Sequence, residues 1–190
     1  FKDYKHYVKT RAEYIKFPDK FYGTGAHTHI NDEEDFTPQT IGLWLEYYGK
    51  LNGKSFAGAR FRAEHTVILD KKTGGLMDNP LLPGSSGGLV SGLELLFKID
   101  ERDNIYFARS GGYYRLSAGI FNRAFGSDFD FFRYEADLRN YISLDEAHSF
   151  SLQGLFILND GNVPVNFMGL LGGDQQMRGY YKGRFRDKDM

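Results

Sequence analysis

The sequence predicts an all-β fold of long antiparallel strands joined in chain order. Three observations carry this. Apolar and polar residues alternate with period two along most of the chain, and helical periodicity is almost absent. The alternating segments run to roughly ten residues, the length of a tilted membrane-crossing strand. The connections between them alternate in length, short then long, along the chain.

The first strand is expected from about Tyr4 to Ile15, followed by a loop over 17–38. In the second, Ile41, Leu43, Leu45, Tyr47 and Leu51 share one face, and Trp44, Glu46, Tyr48 and Lys50 share the other. Asn52-Gly53 then signals a tight hairpin in which both turn residues take positive φ. The returning strand, Lys54 to Val67, sets Ala57, Ala59, Phe61 and Ala63 against Arg60, Arg62 and Glu64. A Gly-, Pro- and Ser-rich loop over 70–88 leads to Leu89–Ile99, with Leu93, Leu95, Phe97 and Ile99 opposite Glu94 and Lys98. A polar turn over 100–104 precedes the strand Tyr113–Phe121, and 122–130 is a loop. Phe131–Leu144 sets Phe132, Tyr134, Ala136, Leu138 and Ile142 against the ionised row Arg133, Glu135, Asp137 and Arg139. After a turn at Asp145–His148, Ser149–Leu158 is the last clear strand, and a long loop covers 159–187.

Composition agrees. Phe and Tyr number 17 and 13 against one Trp, and Gly numbers 23. Aromatics favour strands and form interfacial girdles, while Gly relieves crowding in curved sheets. Charged residues make up 26% of the chain and the mean hydropathy is −0.48. No stretch approaches the roughly 18 consecutive apolar residues of a membrane helix. A membrane barrel remains compatible, because only alternate residues must face lipid. The absence of Cys excludes disulfides, thiol nucleophiles and thiolate metal sites. A net charge of −1 without an evident basic face predicts no nucleic-acid partner. The chain begins at Phe1 without Met or a signal peptide and ends in the polar run Arg186–Met190, which reads as a mature or truncated piece.

Long strands whose short and long connections segregate predict an antiparallel transmembrane β-barrel of the outer-membrane type. A soluble antiparallel sandwich or lipocalin-like barrel shares the alternation, which does not say which face is inside.

The segment Gly172-Gly173-Asp174-Gln175-Gln176-Met177-Arg178-Gly179-Tyr180, followed by Gly183-Arg184-Phe185-Arg186-Asp187, resembles the signature loop of the BamA/TamA-like outer-membrane assembly-factor barrels, the bacterial surface antigens. Phe107–Ser117 resembles a short-rim turn of the same family, with Ala108 where Pro is common, and Phe17–Gly25 resembles a loop of its smaller members. The resemblance implies about seven to eight strands of a sixteen-stranded barrel, ending just after a lumen loop at about 159–187. It implies that the loop, through Gly172, Gly173, Met177, Arg178, Gly179, Tyr180 and Asp187, folds into the lumen, where Arg178 pairs with a wall carboxylate. The resemblance also implies that the family's closing strands and the usual acidic partner of Arg178 lie outside this sequence, as do its first strands and any periplasmic POTRA repeats. Gly179 permits a turn too tight for a Cβ, and Tyr180 can wedge the loop against the wall.

Other chemistry reads weakly. Gly84-Ser85-Ser86-Gly87-Gly88 matches a nucleophile elbow, but that elbow needs a strand before it and a helix after it. His27 and His29, followed by Asp32, Glu33, Glu34 and Asp35, offer metal-ligand types, yet a hydrated acidic loop fits them better. Arg133, Glu135, Asp137 and Arg139 read as a self-neutralising lumen ladder of cross-strand pairs rather than an acid–base pair.

No cofactor, metal or catalytic residue is therefore expected. The resemblance implies a role in assembly, insertion or translocation of proteins at the bacterial outer membrane. Its implied partners are membrane lipids and lipopolysaccharide, unfolded outer-membrane protein substrates, and periplasmic or accessory subunits. A passive structural or pore-forming barrel, or a membrane anchor for a separate enzyme domain, is the alternative.

Overall fold

A computed structural model of the chain describes residues 4–174 and 176–190. Seven long strands form one antiparallel sheet in the order β1 (His6–Lys16), β3 (Glu34–Asn52), β4 (Ser55–Lys71), β5 (Gly87–Asp100), β6 (Gly111–Phe121), β7 (Phe131–Ser143) and β8 (Ser149–Gly161). The short β2 (Asp19–Phe21) pairs with the start of β3. A separate ribbon joins β9 (Gly169–Leu171) to β10 (Phe185–Asp187). The sheet is open, with β1 and β8 at its two ends. No helix among the described residues is long and apolar enough to cross a membrane.

The long strands stand where the alternation puts them, with two differences. β3 begins at Glu34, inside the expected 17–38 loop. Its first residues lack alternation and include Pro38, but β2 supplies partners for Glu34, Asp35 and Phe36, and β4 runs on to Lys71. The missing Pro38 N–H is accommodated at a register shift between Thr37 and Pro38. The hairpin also differs. Gly53 has φ +48°, but no non-Gly residue has positive φ among the described residues. Asn52 is therefore not a left-handed turn residue; it pairs with Ser55 beyond a bulge at Leu51. The bulge sets the register that places Glu46 opposite Arg60.

Burial identifies the two faces. Leu95, Leu152 and Val8 are 72%, 63% and 68% exposed, whereas Glu94, Arg60 and Asp137 are 2%, 6% and 5% exposed. A soluble sheet with an apolar interior would show the reverse. An outer face of Leu, Phe, Tyr and Ala over a buried charged face belongs to a membrane barrel wall.

The buried apolar clusters lie on the inner side at the two ends of the strands. Val90, Phe121, Phe129, Phe131, Val163 and Phe167 pack at the long-loop end, beside Phe21, Phe36, Met77 and Val165. Tyr48, Phe56 and Leu96 pack with Tyr7 near the short turns. Between them the inner face is largely charged, with Trp44 and Ile157 buried among the polar residues.

Candidate functional site

The inner wall is a grid of charges. Antiparallel register aligns Glu46, Arg60 and Glu94 across β3, β4 and β5. Arg60 lies 3.1 Å from Glu46 and 3.5 Å from Glu94. Along β7, Arg133 pairs with Glu135 at 2.8 Å and Arg139 with Asp137 at 2.7 Å. Residues two apart share a face, so the tightest contacts of this row run along the strand. The cross-strand contacts are longer: Arg115 to Glu135 at 3.8 Å, and Gln153 donating to Asp137 at 3.3 Å.

The segment after β8 folds onto this wall. Gly161 turns the chain with φ +106°, where a Cβ would lie 2.5 Å from the Asp130 carbonyl oxygen. The 3-10 turn Val165–Phe167 then descends against the strands. Phe167 enters the Phe121–Phe131 cluster, and its carbonyl accepts from Arg133. Arg62 lies 4.3 Å from the Phe167 ring centroid, and Asn166 donates to Thr66 at 3.1 Å. Arg186, 3% exposed, donates to the Val165 carbonyl at 3.0 Å and reaches Asp19 at 3.5 Å. Arg184, 8% exposed, donates to the Thr28 hydroxyl and carbonyl at 2.7 and 2.8 Å and lies over the Tyr22 ring. Gly25 N–H donates to the Arg186 carbonyl, which ties the loop after β2 onto β10. With the Val165 N–H donating to the Pro83 carbonyl at 2.8 Å, three long loops thus interlock at one end of the wall.

The glycine-rich stretch forms the outer part of this loop. Gly172 has φ +117°, and a Cβ there would lie 2.0 Å from the Tyr181 carbonyl oxygen. Gly173 N–H donates to the Tyr180 carbonyl at 2.9 Å and bridges to Met177. Met177 is half-buried. Arg178 is exposed, and its Nε donates to the Asp174 carbonyl at 3.2 Å; no carboxylate meets it among the described residues. Gly179 has φ +97°. Tyr180, 50% exposed, lies 5.7 Å from the Phe185 ring. Asp187 closes β10 opposite Gly169 and accepts from the Lys188 N–H. Gln175 lies outside the described residues.

Beside this loop, Glu33 accepts from Lys20 and, at 2.7 Å, from the Tyr22 hydroxyl. These two bonds, Lys20 first, hold the Glu33 carboxyl below the usual carboxylate range. Burial, then the bond to Glu33, pushes the Tyr22 hydroxyl up to about 12. The rest of the acidic run disperses: Asp32 accepts from His29 N–H, and buried Glu34 accepts from Met77 N–H. His27 and His29 are exposed. Ser85 is buried with its carbonyl bound to Lys71, and the Gly-Ser run leads into a strand.

Sequence reading gave Arg184, Arg186 and Asp19 no part in seating the loop and did not align the Glu46–Arg60–Glu94 row. The alternation Arg184-Phe185-Arg186 was the available signal for the first two; the row depends on a register that the Leu51 bulge fixes.

A buried charged face, an apolar outer face and a C-terminal loop laid on the inside match a known architecture, and residues 6–190 match the Omp85 superfamily domain. The chain belongs to the Omp85 superfamily. The crystal structure of BamA from Haemophilus ducreyi lacking POTRA domains 1–3 resembles this member with a TM-score of 0.66 at 14% sequence identity. The match covers 94% of this chain and 35% of that one, so the Omp85 segment spans about a third of that chain's length. At this identity the likeness is one of fold. A search of curated proteins finds no match.

Proposed function

We propose that this Omp85 wall works in the outer membrane, in the assembly, insertion or translocation of outer-membrane proteins. The observation that carries the reading is the superfamily match over residues 6–190, on a strand wall whose inner face is occupied by a loop rather than left clear. A plugged lumen suits a barrel that acts through its backbone edges better than one that conducts through its centre. Exposed strand edges recruit an incoming strand by main-chain pairing. The partners in this reading are unfolded outer-membrane proteins, accessory periplasmic subunits, and the lipid and lipopolysaccharide around the barrel. The chemistry is pairing and insertion, with no catalytic side chain.

Within this reading Met177, Arg178, Gly179 and Tyr180 form the working tip of the loop, Gly172 and Gly173 set its turn, and Asp187 ends the ribbon that carries it. Arg133, Glu135, Asp137 and Arg139 form part of the wall against which the loop seats. The test is depletion of the intact protein followed by a count of folded outer-membrane proteins, with R178A complementation in parallel. Loss of folded proteins on depletion, and failure of R178A to restore them, are expected. Normal levels after depletion, with open conductance of the purified barrel, would indicate a passive pore instead.

A further inference from the structure

Two lysines depart from the pairing rule of the inner wall. Arg11, Arg60, Arg62, Arg115, Arg133 and Arg139 each have a carboxylate within 4.0 Å. Lys9 of β1 and Lys98 of β5 have none among the described residues. Lys98 donates to the Tyr7 hydroxyl at 2.6 Å and lies 5.0, 5.2 and 5.1 Å from the Tyr7, Tyr48 and Phe56 ring centroids. Lys9 lies 5.7 and 5.9 Å from the Tyr7 and Tyr48 rings. Both ammonium groups therefore flank one stacked tyrosine pair. The acidic groups whose fields reach Lys98, Glu46 and Asp100, are engaged by Arg60 and by Arg102.

Both lysines line a cavity of about 750 Å³ on the inner face, in which Arg11, Arg60, Arg62 and Arg115 bring the cations to six against the three carboxylates Glu13, Glu46 and Glu64. Arg60 is more than nine-tenths buried; its Nε is held 3.1 Å from a Glu46 oxygen, but its Nη2 lacks a hydrogen-bond partner among the described residues. Buried donors left unmet are costly, and cations sharing a partly desolvated chamber repel one another. A multiply charged anion relieves both. A phosphate group fits best, because it carries more charge than a carboxylate and offers three acceptor oxygens to donors arriving from three strands.

We infer that the chamber between Lys9, Arg60 and Lys98 is a phosphate-binding site inside the barrel, served by free phosphate or by the phosphate of a lipid headgroup. This goes beyond the assembly role and does not depend on it. Ring faces of Tyr7, Tyr48 and Phe56 orient Lys98, while Lys9, on the exposed first strand, is free to close over the anion.

The test uses the intact barrel in detergent at low ionic strength, where such contacts are least screened. Inorganic phosphate is titrated by calorimetry and by phosphorus NMR line width; a second titration uses a short-chain phosphatidic acid. The variants are K9Q, K98Q and K98R, with K72Q at the far rim as control. Removing one charged donor is expected to weaken binding about tenfold, with K98R and K72Q close to the parent. Saturation by inorganic phosphate assigns a free anion, and saturation only by phosphatidic acid assigns a headgroup. No binding of either probe, or binding unchanged in K9Q and K98Q, overturns the site. K9Q replaces an exposed side chain and keeps the test valid if K98Q fails to fold.

Discussion

The Glu46–Arg60–Glu94 row offers the sharpest test of the inner wall. Arg60 and Glu94 side chains are 7% and 1% exposed and stand 3.5 Å apart, with Glu46, at 18%, 3.1 Å on the other side. At an effective dielectric near 20 the Arg60–Glu94 attraction is about 5 kcal/mol before desolvation. Desolvation offsets much of it, because Arg60 Nε and Glu94 Oε1 lack a well-directed hydrogen bond. The two effects separate by mutation. R60M strands Glu94 without a counter-ion and is expected to destabilise the barrel by about 3–5 kcal/mol. The triple variant E46L/R60M/E94L removes all three charges and is expected to recover most of that loss or exceed the parent. Urea unfolding of the intact barrel in detergent, followed by gel mobility of unheated samples, reads both. If R60M unfolds at the parent midpoint, or the triple variant is no better than R60M, the row is hydrated and does not hold the wall together.

Other outcomes follow from the same geometry. Leu95 faces outward at 72% exposure, so L95R is expected to cost about 2–4 kcal/mol near the bilayer centre, whereas Q153R on the inner side of β8 is expected to be tolerated; urea midpoints of both variants in the same lipid compare them. G172A places a Cβ 2.0 Å from the Tyr181 carbonyl at φ +117°, and is expected to cost more than about 1 kcal/mol and to open residues 172–183 to protease without unfolding the strands. Because Lys20, then Tyr22, lowers the Glu33 pKa in the folded state, the stabilisation of this rim is present above the unfolded glutamate value and is lost as pH falls through the lowered folded value. Proteolysis of the 17–33 loop should therefore rise on acidification, and K20Q should flatten that rise; a loop equally resistant at pH 7 and pH 3 argues against the link.

The long strands were legible because period-two alternation is a local property: Leu93, Leu95 and Phe97 announce β5 whatever lies beside it. Alternation by itself looks the same from either side, and strand length with the segregation of short and long connections is what pointed the charged face inward. Exposed Leu152 against buried Asp137 agrees with that reading. The start of β3 was hidden because Glu34–Pro38 is a strand by partnership, held by β2 and the extension of β4. Asn52-Gly53 pointed to the right turn with the wrong geometry, because a bulge one residue earlier changes which residue occupies the turn.

The loop shows the same division between local and non-local information. The Gly172-Gly173 and Met177–Tyr180 stretches stood out through their resemblance to the family's signature loop, and the glycines within them take positive φ. Nothing local marks which of its arginines is buried. Arg178 sits between tight turns, where the backbone carries the side chain away from the wall and leaves it the Asp174 carbonyl. Arg184 and Arg186 flank Phe185 in a ribbon whose other strand follows Phe167, itself fixed among Phe121 and Phe131. That anchorage turns Arg186 onto Val165 and Asp19 and Arg184 onto Thr28. The cations that fasten the loop are thus chosen by distance from a hydrophobic anchor. An exposed Arg178 on a loop fastened elsewhere is free to take a partner without disturbing the seat, whereas R186A, which removes the counter-ion of Asp19 and the donor to the Val165 carbonyl, is expected to loosen all three loops together, read as faster proteolysis of each.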